Sequence, residues 1–233
     1  MENKKSIPEA IQEIRDQVIQ TAKKVHRIPE EIQIMGVSKN ASIQAMEEAF
    51  RAGITLFGEN RIQHAIPKIQ HFHSHIDLQS AEFQFIGHLQ TNKMNKIIPA
   101  FSAIQSVADS RLVEVLHQRV PSYLSPYPIL LEVKTSQEEY KLGWQPEDLI
   151  QEFESLIGFT SVNIIGLMTM APLVEEKSLI RGSFKALRET KETLEKKYSI
   201  HLPVLSMGMS RDYTIAIEEG SNMLRIGNAI FGG

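Results

Sequence analysis

Lys39 ends the run Ile32-Gln-Ile-Met-Gly-Val-Ser-Lys-Asn40, which is short, mostly apolar and β-branched. That is the pattern of a buried parallel strand, with the lysine at the point where the chain must turn. Strand alternation puts Lys39 on the face of Met35 and Val37, so its amine is expected beside apolar side chains at the carboxyl end of the strand. Desolvation in such a place favours the neutral amine, which can form a Schiff base. A lysine that merely reaches past a strand end into solvent has the same signature.

Two loops further on suit an anion. Ser206-Met-Gly-Met-Ser210 precedes a helix and offers hydroxyls, a glycine that lets backbone approach a ligand, and a helix amino terminus with free N–H groups. Gly227-Asn228 follows the last strand-like run. Both also read as plain connections, with Ser210 capping its own helix and Asp212 occupying part of that helix's positive end. Arg225 has the parity of Met223. It points either into a barrel mouth or outward under helices, where an unpaired guanidinium is costly, so inward is expected. His71-Phe-His-Ser-His75, with Asp77 nearby, could line a strand and hold a metal, but a solvated loop is the better expectation in a chain without cysteine.

These residues need elements to hold them. Ile7, Ile11, Ile14, Val18, Ala22 and Val25 form one helical face closed by Pro29, and Ser42 caps a helix presenting Ile43, Met46, Ala49 and Phe50, with Gly53 as its stop. Strands are expected over 54–57, 83–87, 103–107, 128–133, 162–170, 203–206 and 222–226 in addition to the first, with 58–60 as a turn. Helices are expected over 61–70, 91–98, from Asp109, over 146–158, 175–198 and 211–219. Alternation of this kind over 233 residues predicts an α/β fold, a single-domain (β/α)₈ TIM barrel over 1–233 with an extra N-terminal helix. An open doubly wound sheet is the runner-up. In a barrel, active sites lie at the carboxyl ends of the strands, and phosphate sites form from the loops after strands seven and eight.

The formal net charge of −3 points to no nucleic acid and no anionic membrane surface. Zero cysteines exclude disulfides, thiol nucleophiles and thiolate metal sites together. With no signal-like start and no apolar run of spanning length, a cytoplasmic protein is expected, and no helix face shows an interaction stripe, so a monomer is expected.

A Schiff-base lysine after strand one, a phosphate cup after strands seven and eight and a cation on strand eight together describe a site for pyridoxal 5′-phosphate (PLP). Six segments carry a specific likeness: Gly36-Val-Ser-Lys39, Phe57-Gly-Glu-Asn-Arg61, Phe85-Ile-Gly-His-Leu-Gln-Thr-Asn-Lys93, Gly166-Leu-Met-Thr-Met170, Leu205-Ser-Met-Gly-Met-Ser210 and Met223-Leu-Arg-Ile-Gly-Asn-Ala-Ile-Phe-Gly232. With these, the chain closely resembles the pyridoxal phosphate homeostasis proteins, single-domain relatives of the barrel domain of alanine racemase. The resemblance implies that Lys39 forms the internal aldimine, that Ser206, Gly227 and Asn228 hold the phosphate, that Arg225 faces the pyridine nitrogen, and that Asn60 and Met168 line the ring. The chain departs from the family pattern at Phe83-Gln84, Lys134, Arg211 and Asn228.

The implied role is reversible binding of PLP, control of its free level and delivery to apo forms of PLP-dependent enzymes, without turnover. Two other functions compete. An amino-acid racemase needs an acid/base on each face of its substrate, and Lys39 supplies one, with no second domain expected after Gly233. A cofactor-free Schiff-base aldolase on a sugar phosphate would use the same lysine and cup. Lys141, in Tyr140-Lys-Leu-Gly143, leaves the same mouth and is expected to compete with Lys39 for the aldehyde.

Overall fold

Short runs rich in β-branched and other apolar residues give the strands β1 Gln33–Val37, β2 Leu56–Glu59, β3 Glu82–Phe85, β4 Ala103–Val107, β5 Tyr127–Glu132, β6 Val162–Met168, β7 Val204–Ser206 and β8 Met223–Ile226. In the computed structural model, which describes residues 5–136 and 142–232, they pair in chain order and β8 returns to β1. Each pairing is parallel. The fold is therefore the (β/α)₈ barrel. Lys141 lies outside the described residues.

The helices are α1 Ile7–Lys24, α2 Ile43–Arg51, α3 Ile62–Ser74, α4 Met94–Ile97, α5 Ser110–Arg119, α6 Pro146–Leu156, α7 Lys177–Tyr198, α8 Tyr213–Glu218 and α9 Asn228–Phe231. Helix α1 is the extra N-terminal element. It starts in a capping box between Ser6 and Glu9 and buries Ile11, Ile14, Val18 and Ala22, packing on α2, α8 and α9. It thus braces the outside of the barrel where the first and last units meet, and just beyond it Arg27 donates to the carbonyls of Ile217 and Ser221 at 2.9 and 2.7 Å.

The main core lies between strands and helices. Inside the barrel a small apolar cluster of Met35, Leu56 and Met223 plugs the lower part, so the site has a floor. Helix α2 is capped by Ser42, whose hydroxyl accepts from the Ala45 N–H.

Two expectations fail here. Gly58 and Glu59 belong to β2 rather than to a turn: Gly58 faces inward, where a Cβ would stand 2.6 Å from Met35 Sδ, and Glu59 is fully buried. A glycine followed by an acid looks like a turn only while the acid's buried partner is unseen. The run His71 to Ser74 is the last turn of α3 and not a loop. There His71 Nε2 sits 2.7 Å from Glu47 Oε1, and His75 Nδ1 lies 2.7 Å from the His71 carbonyl. Among the described residues no group of three or more His, Cys, Asp or Glu is placed to hold a metal, and no helix is long and apolar enough to cross a membrane.

Candidate functional site

Strand β1 extends its ladder by one bond past Val37, with the Ser38 N–H donating to the Gly58 carbonyl at 3.0 Å. Lys39 follows at the rim. It is exposed, not set among apolar side chains as its strand parity suggested, because the strand has already ended two residues earlier. What is buried is the layer beneath it. Ser38 Oγ donates to Glu59 Oε1 at 2.7 Å, and Lys68 Nζ, from α3, donates to the same oxygen and to the Ser38 carbonyl, both at 2.7 Å. The second carboxylate oxygen, Glu59 Oε2, is buried without a hydrogen-bond partner. Asn60 comes next, half-buried, and only a glycine fits at position 87, where a Cβ would stand 2.1 Å from the Asn60 carbonyl oxygen. Met168, the buried last residue of β6, is in register with Glu132 and Ser206.

Arg225 enters the barrel from β8 as its parity with Met223 predicts. It is 5% exposed; Nη1 donates to Ser206 Oγ and Nη2 to the Thr169 carbonyl, each at 2.7 Å. The bonding continues across the barrel: Ser206 Oγ donates to Gln105 Oε1 at 2.7 Å, and Gln105 Nε2 donates to Gln84 Oε1 at 2.7 Å. Burial pushes the Arg225 pKa down to about 10, opposed by the charges of Glu132 and Asp212. The group stays protonated at neutral pH, and keeping it so costs roughly 3 kcal/mol. A charge held against such a penalty is a mark of functional sites more than of packing.

Asp212 is buried beside this cation and accepts the Met209 N–H at 2.5 Å. Burial raises its pKa above the ordinary carboxylate value, and the Met209 N–H and Arg225 only partly oppose this. A carboxyl raised in the fold gives stability that is present below its unfolded pKa and is lost as pH rises through the folded one. Asp212→Asn keeps the acceptor without the charge. Its stability advantage over the wild type in urea denaturation is therefore expected to grow from pH 4 to pH 7; a constant difference would mean that Asp212 does not titrate as its burial requires.

At the lip, the loop after β7 bends at Gly208, whose φ of +96° places a non-glycine residue under strain. Ser210 Oγ then accepts the Ala229 N–H at 3.2 Å, so Ser210 ties this loop to α9 and does not cap its own helix. Gly227 opens α9, and a Cβ there would lie 3.4 Å from the Val37 carbonyl, so the ends of β8 and β1 meet. Asn228 is exposed at the same lip. Ser206, by contrast, is fully buried with its hydroxyl engaged by Gln105 and Arg225. Lys134 is half-buried and Arg211 exposed.

The fold thus brings Lys39, Gly227 and Asn228 to one rim and Arg225, Ser206 and Met168 to the interior below it. Sequence reasoning missed Glu59, Lys68, Gln105 and the tie made by Ser210. The available signal was a polar residue inside an otherwise apolar strand, as in Ala103-Ile-Gln-Ser-Val107.

Comparison with known proteins agrees with the barrel. The alanine racemase N-terminal domain family matches residues 12–233. The pyridoxal phosphate homeostasis protein of Vibrio alginolyticus is 36% identical over 227 residues, covering 97% of both chains. The structure of PipY from Synechococcus elongatus with PLP bound is 33% identical with a TM-score of 0.84, covering 97% of this chain and all of that one. Alanine racemase of Corynebacterium glutamicum, 14% identical with a TM-score of 0.70 and matched over 60% of its length, shares the fold. From the barrel, the rim lysine and these matches, the chain belongs to the pyridoxal phosphate homeostasis proteins, within the family of the alanine racemase N-terminal domain.

Proposed function

We propose that this protein binds PLP covalently through Lys39 and serves PLP homeostasis, holding and releasing the cofactor without turnover. The observation that carries the reading is the charged Arg225 guanidinium, buried and oriented below a rim that presents the exposed Lys39. The donor set fits the group. An amine stands at the mouth, the Ser210 hydroxyl proton and the N–H groups of Gly227 and Asn228 suit a phosphate dianion, and a fixed cation lies below for an aromatic nitrogen.

When bound, PLP supplies an aldehyde for a reversible bond to an amine. Asn60 and Met168 would line the ring, and Gly227 and Asn228 would meet the phosphate through backbone N–H groups, which the departure at Asn228 leaves available in kind. We assign the hydroxyl contact to Ser210 and give Ser206, whose hydroxyl is already engaged, the task of aiming Arg225. Support for the role itself comes from the relatives named as homeostasis proteins and from PipY, solved with PLP bound.

Purified protein mixed with PLP should develop a visible band, and borohydride should fix the cofactor to Lys39, as read by peptide mass. That result excludes the cofactor-free aldolase; a colourless protein overturns the proposal. We further take the protein to be a cytoplasmic monomer that passes PLP to apo forms of PLP-dependent enzymes. Sedimentation of the loaded protein above the mass of one chain would overturn the monomer.

A further inference from the structure

A buried ion pair lies directly behind the reactive lysine. Glu59 is fully buried, Lys68 is 9% exposed, and their 2.7 Å pair sits on the outer face of the barrel wall. Strand parity gives this placement: Leu56 belongs to the interior cluster and Gly58 faces Met35 Sδ, so Phe57 and Glu59 face outward toward α3. The pair does more than join α3 to β2, because it also grips the residue before Lys39. Here Lys68 Nζ also donates to the Ser38 carbonyl, and Ser38 Oγ donates to Glu59. The Ser38 carbonyl belongs to the peptide unit whose nitrogen is that of Lys39, and Glu59 immediately precedes Asn60.

We infer that Glu59 and Lys68 form a clamp that holds Ser38 outward and thereby turns Lys39 into the barrel mouth, fixing the direction from which its amine meets an aldehyde. They are positioning residues that act through Ser38 and touch no ligand. Lys39 lies in the turn that Ser38 opens, the Ser38 carbonyl also accepting the Ala41 N–H at 2.9 Å; holding Ser38 on the outside by both its hydroxyl and its carbonyl therefore fixes the turn from which the next side chain leaves. Because Lys39 is itself exposed, packing around its own side chain does not do this. The opposite charges of the pair largely cancel at Lys39, so the clamp works by geometry more than by field.

The inference rests on the PLP reading, and its test separates the two. Lys39 adds to the aldehyde carbon of PLP, a C=N bond forms and water leaves; pyridoxine 5′-phosphate has an alcohol in place of the aldehyde and reports the non-covalent site alone. In Lys68→Met the rate of visible-band formation with PLP should fall roughly tenfold or more, since small misplacements of a reacting group carry large rate penalties. Affinity for pyridoxine 5′-phosphate should change by less than about threefold, because the groups at the β7 and β8 ends are untouched.

Lys68→Met leaves a buried carboxylate unpaired and risks unfolding. Lys68→Met with Glu59→Gln removes both charges and should show the same split, while Lys68→Arg, which keeps charge and donors, should recover part of the rate. Band formation at the wild-type rate in the double variant, or parallel loss of both ligands, would overturn the clamp. Wild-type protein that forms no band at all would instead sink the PLP reading, and the clamp with it.

Discussion

Lys39→Ala is expected to abolish the visible band that forms with PLP while leaving the stability of the cofactor-free protein within about 0.5 kcal/mol of wild type. Both halves follow from one observation, the exposure of Lys39 at the end of the β1 ladder. An exposed side chain beyond the last strand residue leaves no cavity when truncated, and the Ser38–Glu59–Lys68 bonds beneath it involve none of its atoms past the backbone. Pyridoxine 5′-phosphate should therefore bind the variant much as it binds wild type, through the lip formed by Ser210, Gly227 and Asn228. PLP should bind more weakly than to wild type, by the contribution of the lost covalent bond, and borohydride should leave no cofactor attached to the chain. A normal band in the variant would place the bond on another lysine.

The barrel was legible in the sequence because it rests on periodicity. Most strands are short, largely apolar runs, the longer helices have a spaced apolar face, and caps such as Ser42 and Asp109 mark their own helices. Boundaries slipped where a single residue served a distant partner. Glu59 looks like the second residue of a turn until Lys68 is placed nine positions later on the facing helix, and His71 looks like part of a polar loop until Glu47 on α2 pairs with it.

The placement of the candidate residues was legible by the same measure. Lys39, Arg225, Gly227 and Asn228 are found at strand ends, where topology alone carries them. Ser206 and Ser210 could not be told apart by sequence, since both are serines of one loop; only the Arg225–Ser206–Gln105–Gln84 chain and the Ser210–Ala229 bond divide interior from lip. Burial of Lys39 was inferred from parity, which gives the face of a side chain but not whether the wall still rises beside it.

Amino acids incubated with the loaded protein in heavy water are expected to give no appreciable D-isomer and at most slow deuterium uptake at Cα. Removing an α-proton leaves negative charge that the cofactor ring must accept, and the ring accepts it best when its nitrogen is protonated. On the proposed reading that nitrogen meets Arg225, which burial brings down only to a pKa of about 10 and which is charged at pH 7. A charged guanidinium donates a hydrogen bond and does not give up its proton. Its direction is also fixed, by bonds to Ser206 Oγ and the Thr169 carbonyl and, behind Ser206, by Gln105 and Gln84. Inversion further requires a proton donor on the face opposite the base, and general acid/base groups contribute roughly 10² to 10⁴ in rate each. With Lys39 on one face, a proton it removed would return to the face it left, giving exchange without inversion. A weakened sink lowers even that exchange. Chiral chromatography and Cα deuterium content measured together test both parts: exchange without D-isomer fits a one-sided base, whereas racemisation at rates ordinary for enzymes would mean a second base at the mouth and would overturn the homeostasis reading.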